Sequence, residues 1–280
     1  MKRPWIELVS VAVVVALVPI ATVTDMRGAS AQLFALKDGP VVMGHIGLNS
    51  TSTAEHRKFW STLGGTPVSP FKREMFHFPN IYVSPGHGTN PTGGTTGTTV
   101  DHIAFRVPQL RPVLSRMAAI GYPEVGEAPQ QDRQSQGAFL MGPDGIKVEV
   151  VEDTNTPYMI AVDHIHYAGP DARTMRDWYA KALNAKPGTR GTALAAELPG
   201  VALLFQTATR PVVGTAGRVL DHVTFEVRDL AGFCERVQAG GIKLDRPHTR
   251  QTTMNLGVAF LTDPWGTSVE LTEGYDRIAP

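Results

Sequence analysis

Four histidines recur at near-equal intervals. His45, His102, His164 and His222 stand 57, 62 and 58 residues apart by subtraction of their numbers. Glu149 follows His102 by 47 residues, and Glu270 follows His222 by 48. Imidazole nitrogens and carboxylate oxygens are the donors that hold Fe(II), Mn(II), Zn(II) or Ni(II), and two imidazoles with one carboxylate leave positions open for a substrate. A single histidine near a strand start is usually a hydrogen-bonded structural residue, and a carboxylate between apolar neighbours can simply face solvent. Repetition at matched spacing tips the balance toward a divalent metal. The C-terminal half supplies one candidate set, His164, His222 and Glu270; the N-terminal half supplies a second, His45, His102 and Glu149. His166 lies two residues after His164, on the same face of the same strand. It is a candidate catalytic acid–base group or an alternative ligand.

The histidines head four similar segments: MGHIGLN from Met43, VDHIAFRV from Val100, VDHIHYAG from Val162 and LDHVTFEV from Leu220. The second and fourth also share an ending, MGPDGIKVEVVE and TDPWGTSVELTE, and a lead-in, GGTTGTTVDH and VGTAGRVLDH. The first and third share an aromatic stretch after the histidine, Arg57-Lys58-Phe59-Trp60 and Arg176-Asp177-Trp178-Tyr179. The order is A-B-A-B, and a repeat of this period fixes the fold class before any single motif does.

Each copy reads as strand, helix, then two or three strands, an α+β unit. In LDHVTFEV, Val223, Phe225 and Val227 point one way and His222, Thr224 and Glu226 the other. LAGFCERVQAGG follows with Leu230, Phe233 and Val237 on one helical stripe and Gly240-Gly241 as its stop. GVAFLTD, a Pro-Trp-Gly turn and SVELTE read as a hairpin. With the apolar faces under the helices, His222 and Glu270 fall on the opposite, concave face. Two contiguous domains are expected, 32–156 and 157–280, each pairing two adjacent copies edge to edge, with Asp153–Tyr158 as their connection.

On these residues the sequence resembles the vicinal oxygen chelate superfamily, which includes glyoxalase I, extradiol dioxygenases and bleomycin-binding proteins. The resemblance covers about Val41 to Tyr275, and its most specific parts are the Asp-His starts and the ending DPWGTSVELTEG. It implies four βαβββ modules paired into two cupped sheets. It also implies a divalent ion that chelates two neighbouring oxygens of a small substrate, in a lyase, isomerase or dioxygenase. Three departures matter. The strands NIYVSPG and GVALLFQTA lack the second glutamate of glyoxalase I. Phe260 stands about where the dioxygenases carry a tyrosine. Their acid–base histidine has no counterpart between Val201 and Gly217, leaving His248 as a substitute. A non-catalytic, ligand-sequestering protein is the alternative.

Twenty-six Lys plus Arg balance 26 Asp plus Glu among 280 residues, so no basic surplus points to nucleic acid. Hydrophobic residues reach 42%, enough for sizeable cores, and the low charge leaves homo-oligomers open. Lys2 and Arg3, the apolar run Leu8–Val23 and Ala29-Ser30-Ala31 read as a signal peptide over residues 1–31, cut after Ala31. Export to the periplasm or beyond follows, with no stable membrane association after cleavage. Cys234 is the only cysteine, which excludes an intramolecular disulfide. The Gly/Thr run Thr89–Thr99 lacks a phosphate-loop lysine and reads as a connection.

Overall fold

The computed structural model describes residues 38–86, 90–128, 136–252 and 254–275; the expected signal peptide lies outside them. The first module comprises β1 (Val41–Leu48), α1 (Thr53–Leu63), β2 (Thr66–Val68), β3 (Met75–Phe78) and β4 (Ile81–Pro85). The second comprises β5 (Val100–Val107), α2 (Leu110–Ala119), β6 (Glu124–Glu127), β7 (Gly137–Met141) and β8 (Lys147–Glu152). The third comprises β9 (Ala161–Gly169), α3 (Ala172–Leu183), β10 (Lys186–Arg190), β11 (Ala193–Leu198) and β12 (Val201–Thr207). The fourth comprises β13 (Leu220–Val227), α4 (Leu230–Ala239), β14 (Arg246–Gln251), β15 (Leu256–Thr262) and β16 (Ser268–Glu273). Each is strand, helix and three strands.

Local chemistry sets the helix starts. Ser52, Asp171 and Asp229 each accept a bond from a backbone N–H of the first turn, satisfying a donor that has no partner within the helix. The strand faces then sort by alternation. Ile103, Phe105 and Val107 of β5 and Val223, Phe225 and Val227 of β13 enter the hydrophobic core with Phe59, Trp60, Met175 and Tyr179 of the helices. The partner residues in the alternation face the concave side.

Two eight-stranded sheets result, with orders β14-β15-β16-β13-β1-β4-β3-β2 and β10-β11-β12-β9-β5-β8-β7-β6. The first module therefore pairs with the fourth, through antiparallel β1 and β13, and the second with the third, through antiparallel β5 and β9. This corrects the expected division at residues 156 and 157, since each sheet takes one module from each half of the chain. The physical reason is in the connections. The lead-ins to β5 and β13 cross between the sheets and hydrogen-bond to one another, with Thr99 N–H to Val213 O at 2.9 Å, Val213 N–H to Gly97 O at 3.0 Å and Val219 N–H to Gly93 O at 2.9 Å. Their shared sequence reflects this mutual pairing.

Polar latches tie the layers together. Trp60 Nε1–H donates to His56 Nδ1 at 3.2 Å, which leaves His56 Nε2–H to donate to Asp144 Oδ2 at 3.1 Å. Tyr179 OH donates to Asp263 Oδ2 at 2.8 Å. In each case a helix of one sheet grips the tight turn before the last strand of the other.

Candidate metal centre

The modules' first strands are not regular. In the β5–β9 ladder, Val100 opposes Tyr167 while His102 opposes His166, so Asp101 is an extra residue. Ala104 opposes His164 while Phe105 opposes Val162, so Asp163 is another. Asp221 occupies the same position in β13, between Leu220 and His222. In an unbroken strand the residue before a histidine faces away from it. A bulge lets it share the face. Each aspartate accordingly accepts from the Nδ1 of its histidine, at 2.7 Å for Asp101–His102 and 2.8 Å for both Asp163–His164 and Asp221–His222. These three aspartates orient the site, and reading by residue type alone missed them. The Asp-His dipeptides were the available signal.

With Nδ1 committed, Nε2 of each ring carries the lone pair. His102 Nε2 lies 2.9 Å and His164 Nε2 3.1 Å from the same oxygen, Glu149 Oε2, in a site where Glu149 is 2% exposed. Two imidazole acceptors aimed at a carboxylate oxygen require a positive charge between them, which a proton or a metal ion can supply. Burial works against charge on Glu149, yet positive charge shared with His102 and His164 outweighs it and holds its carboxyl well below the usual range. His164 is likewise discouraged from charging by burial, but Asp163 and Glu149 raise its pKa. His166 completes the cluster. One nitrogen from each of His102, His164 and His166 lies within 4.8 Å of the others. Burial, then the charges of His102 and His164, push the His166 pKa down to about 3.

The sheet of the first and fourth modules carries a counterpart. His45 Nε2 and His222 Nε2 lie 3.4 and 3.5 Å from Glu270 Oε2, and Thr224 Oγ1 donates to that oxygen at 3.0 Å. Burial raises the Glu270 pKa, but His222 and His45 reverse this and lower it to about 2. Burial lowers the His222 pKa, but Asp221 and Glu270 overcome it and raise it to about 9.

Both expected ligand sets are therefore recombined. His164 and His166 sit with His102 and Glu149; His222 and Glu270 sit with His45. The sets His164, His222, Glu270 and His45, His102, Glu149 do not form, because the modules contributing them lie in different sheets. His248 falls on the edge strand β14, outside both clusters. Phe260 does face a cup, 6.3 Å from the His222 ring.

The two cups differ in space. The one holding His102, Glu149 and His166 opens into a cavity of about 850 Å³, lined also by Phe139, Lys147, Phe205 and Gln206. In the one holding His45 and Glu270, the described residues border a pocket of about 70 Å³. Met75, Tyr82, Leu256, Val258 and Tyr275 fill this cup. Tyr275 is pinned by its backbone N–H to the buried Glu226 carboxylate at 2.9 Å and lies 5.2 Å from the His45 ring. In the open cup the same face carries Ala193, Ala195, Ala202 and Leu204.

Residues 161–271 match the family model of the Glyoxalase/Bleomycin resistance protein/Dioxygenase superfamily. That stretch is the third and fourth modules, one from each sheet. No significant match was found among curated proteins. Among solved structures, glyoxalase I from Zea mays superimposes with a TM-score of 0.68 at 16% identity, covering 85% of this chain and 94% of that one. A putative dioxygenase from Bacillus subtilis subsp. subtilis str. 168 gives 0.62 at 14% identity, covering 84% and 87%. The chain thus shares the two-sheet fold of glyoxalase I over most of its length, and residues 161–271 carry the sequence pattern of the glyoxalase superfamily.

Proposed function

We propose that the protein is an exported, metal-dependent enzyme acting on a small substrate that is chelated through two neighbouring oxygens in the cup of the second and third modules. One observation carries this reading: His102 and Glu149, which line a cavity of about 850 Å³, converge with the buried His164 behind them, and Asp101 and Asp163 orient the two rings. These three residues would hold the ion. When bound, it would supply positive charge to an enolate or similar oxyanion. Phe139 offers apolar surface to the body of the substrate, and Lys147, bonded to Asp101 at 2.7 Å, steadies the carboxylate behind His102. The class is a lyase, isomerase or dioxygenase.

A second reading has one specific support. Glu149 opposes Ala104, two residues after His102, and the matching position in the third module, opposite His166, is Leu204. The second carboxylate that would move a proton is absent there, as in a protein that sequesters a ligand without transforming it. Metal analysis followed by turnover assays separates the possibilities. Purified protein should contain an ion that Glu149→Ala loses and that Glu270→Ala leaves in the open cup. An ion-free wild type would sink the metal-dependent reading, and a loaded protein without turnover would favour sequestration. Export is tested separately: the secreted protein should begin at Gln32, and one beginning at Met1 would refute cleavage.

A further inference from the structure

We infer that His166 is a fourth protein ligand in the open cup, binding through Nδ1, and that Gln206 is its positioning residue; this rests on the metal-centre reading above. His166 is 8% exposed, and its Nε2 lies 3.1 Å from Gln206 Oε1. A carbonyl oxygen only accepts, so Nε2 carries the hydrogen and Nδ1 carries the lone pair. That Nδ1 is buried and has no hydrogen-bond partner. Turning the Gln206 amide around would put a hydrogen on Nδ1 instead, equally without an acceptor. A buried acceptor with no donor is costly unless something else uses its lone pair.

The surroundings say what that is. The His166 ring stacks on His102, with centroids 4.5 Å apart and planes at 22°, and lies 5.8 Å from the His164 ring. Nitrogens within 4.8 Å of one another can close on a single ion at about 2.0–2.1 Å each after small side-chain shifts. A group acting on substrate would aim its free nitrogen at the cavity, whereas Nδ1 is covered. Three imidazoles, two of them in contact with the Glu149 carboxylate, make a nitrogen-rich surrounding, suited to the later first-row ions over magnesium or calcium. The closed cup is the internal contrast. His166 opposes His102, whereas Gly47 opposes His222, and a Cβ on Gly47 would collide with that ring.

Co(II) titration read by visible absorption tests this. Variants differing only at position 166 share whatever the closed cup contributes, so their difference reports on the open cup. His166→Ala should change the ligand-field bands and weaken binding at least about 10-fold, and added imidazole should restore both by entering the vacated space. Gln206→Leu should keep the wild-type bands while weakening binding by about 10- to 100-fold. Unchanged bands and affinity in His166→Ala would overturn the ligand assignment, as would changes that imidazole fails to reverse. Unchanged affinity in Gln206→Leu would overturn the positioning role. A wild type that takes up no Co(II) would instead refute the metal centre itself, with Glu149→Ala serving as the control for loss of the open-cup ion.

Discussion

At three of the four repeated histidines, the residue that decides what the imidazole can do is the aspartate just before it. Asp101, Asp163 and Asp221 reach their rings only because each occupies a bulge, and each fixes the tautomer that turns Nε2 toward the shared glutamate. Asp163 is itself held by Arg106 at 3.3 Å and Arg190 at 3.5 Å. Asp163→Asn should therefore keep the ion at saturating concentration while weakening its binding by about 10- to 100-fold, measured by competition with a chelator. If affinity is unchanged, the aspartate does not orient the ligand. His222 gives a pH dependence. Its folded pKa of about 9 exceeds the unfolded value of about 6.5, so its contribution to stability is fully present below about 6.5 and is lost as pH rises through about 9. Chelator-treated protein should lose on the order of 2–3 kcal/mol from this group across that window, seen as a falling Tm. His222→Gln should flatten the fall, and a bound ion, replacing the proton, should also flatten it. A Tm indifferent to pH in the ion-free wild type would count against the coupling of His222 with Asp221 and Glu270.

At the scale of strands, side-chain size separates one cup from the other. The concave face beside His45 carries Met75 and Tyr82, whereas the corresponding face beside His164 carries Ala193, Ala195 and Ala202. The alternation that sends valines and phenylalanines under the helices was legible in the sequence, as were the four modules and all seven clustered histidines and glutamates. The alanine-rich strand was also in plain sight. Its meaning was not: Ala195 and Ala202 are fully buried, and which alanine borders the cavity depends on strands far away in sequence. Ala193 lines the open cup. Ala193→Phe should fill that space and block small-molecule binding, while metal content stays at the wild-type level. Loss of the ion together with the ligand would show that Ala193 supports the metal cluster rather than the substrate space. Gly47→Ala tests the closed cup. The new Cβ collides with the His222 ring, and the overpacking should destabilise the protein by about 1–3 kcal/mol in denaturant unfolding. A neutral substitution would mean that the ring has room to move.

Across the whole molecule, the partnership of modules is the feature that sequence repetition left undetermined. An A-B-A-B order is equally compatible with adjacent modules sharing a sheet and with the first joining the fourth. Spacing between histidines records only the length of each module. The deciding contacts are long-range: β1 against β13, β5 against β9, and the two crossing lead-ins against each other. Such pairings carry no local signal, which is why the ligands were recognised individually and grouped wrongly. The arrangement makes a testable demand on the chain. Each half contributes one module to each sheet, so the halves are joined by two antiparallel strand pairings in addition to the covalent link near Asn155. That link lies in the stretch between β8 and β9, where Thr154 and Asn155 are exposed. A protease site introduced there and cleaved should leave both fragments migrating together on size exclusion under native conditions, with both metal clusters intact. They should part only in denaturant, because separation exposes the apolar faces of four modules and unpairs the central strands of both sheets. Two contiguous domains would behave differently, holding together only through a surface interface. Fragments that separate without denaturant, each retaining its own complete His-His-Glu set, would overturn the pairing of the first module with the fourth and the second with the third.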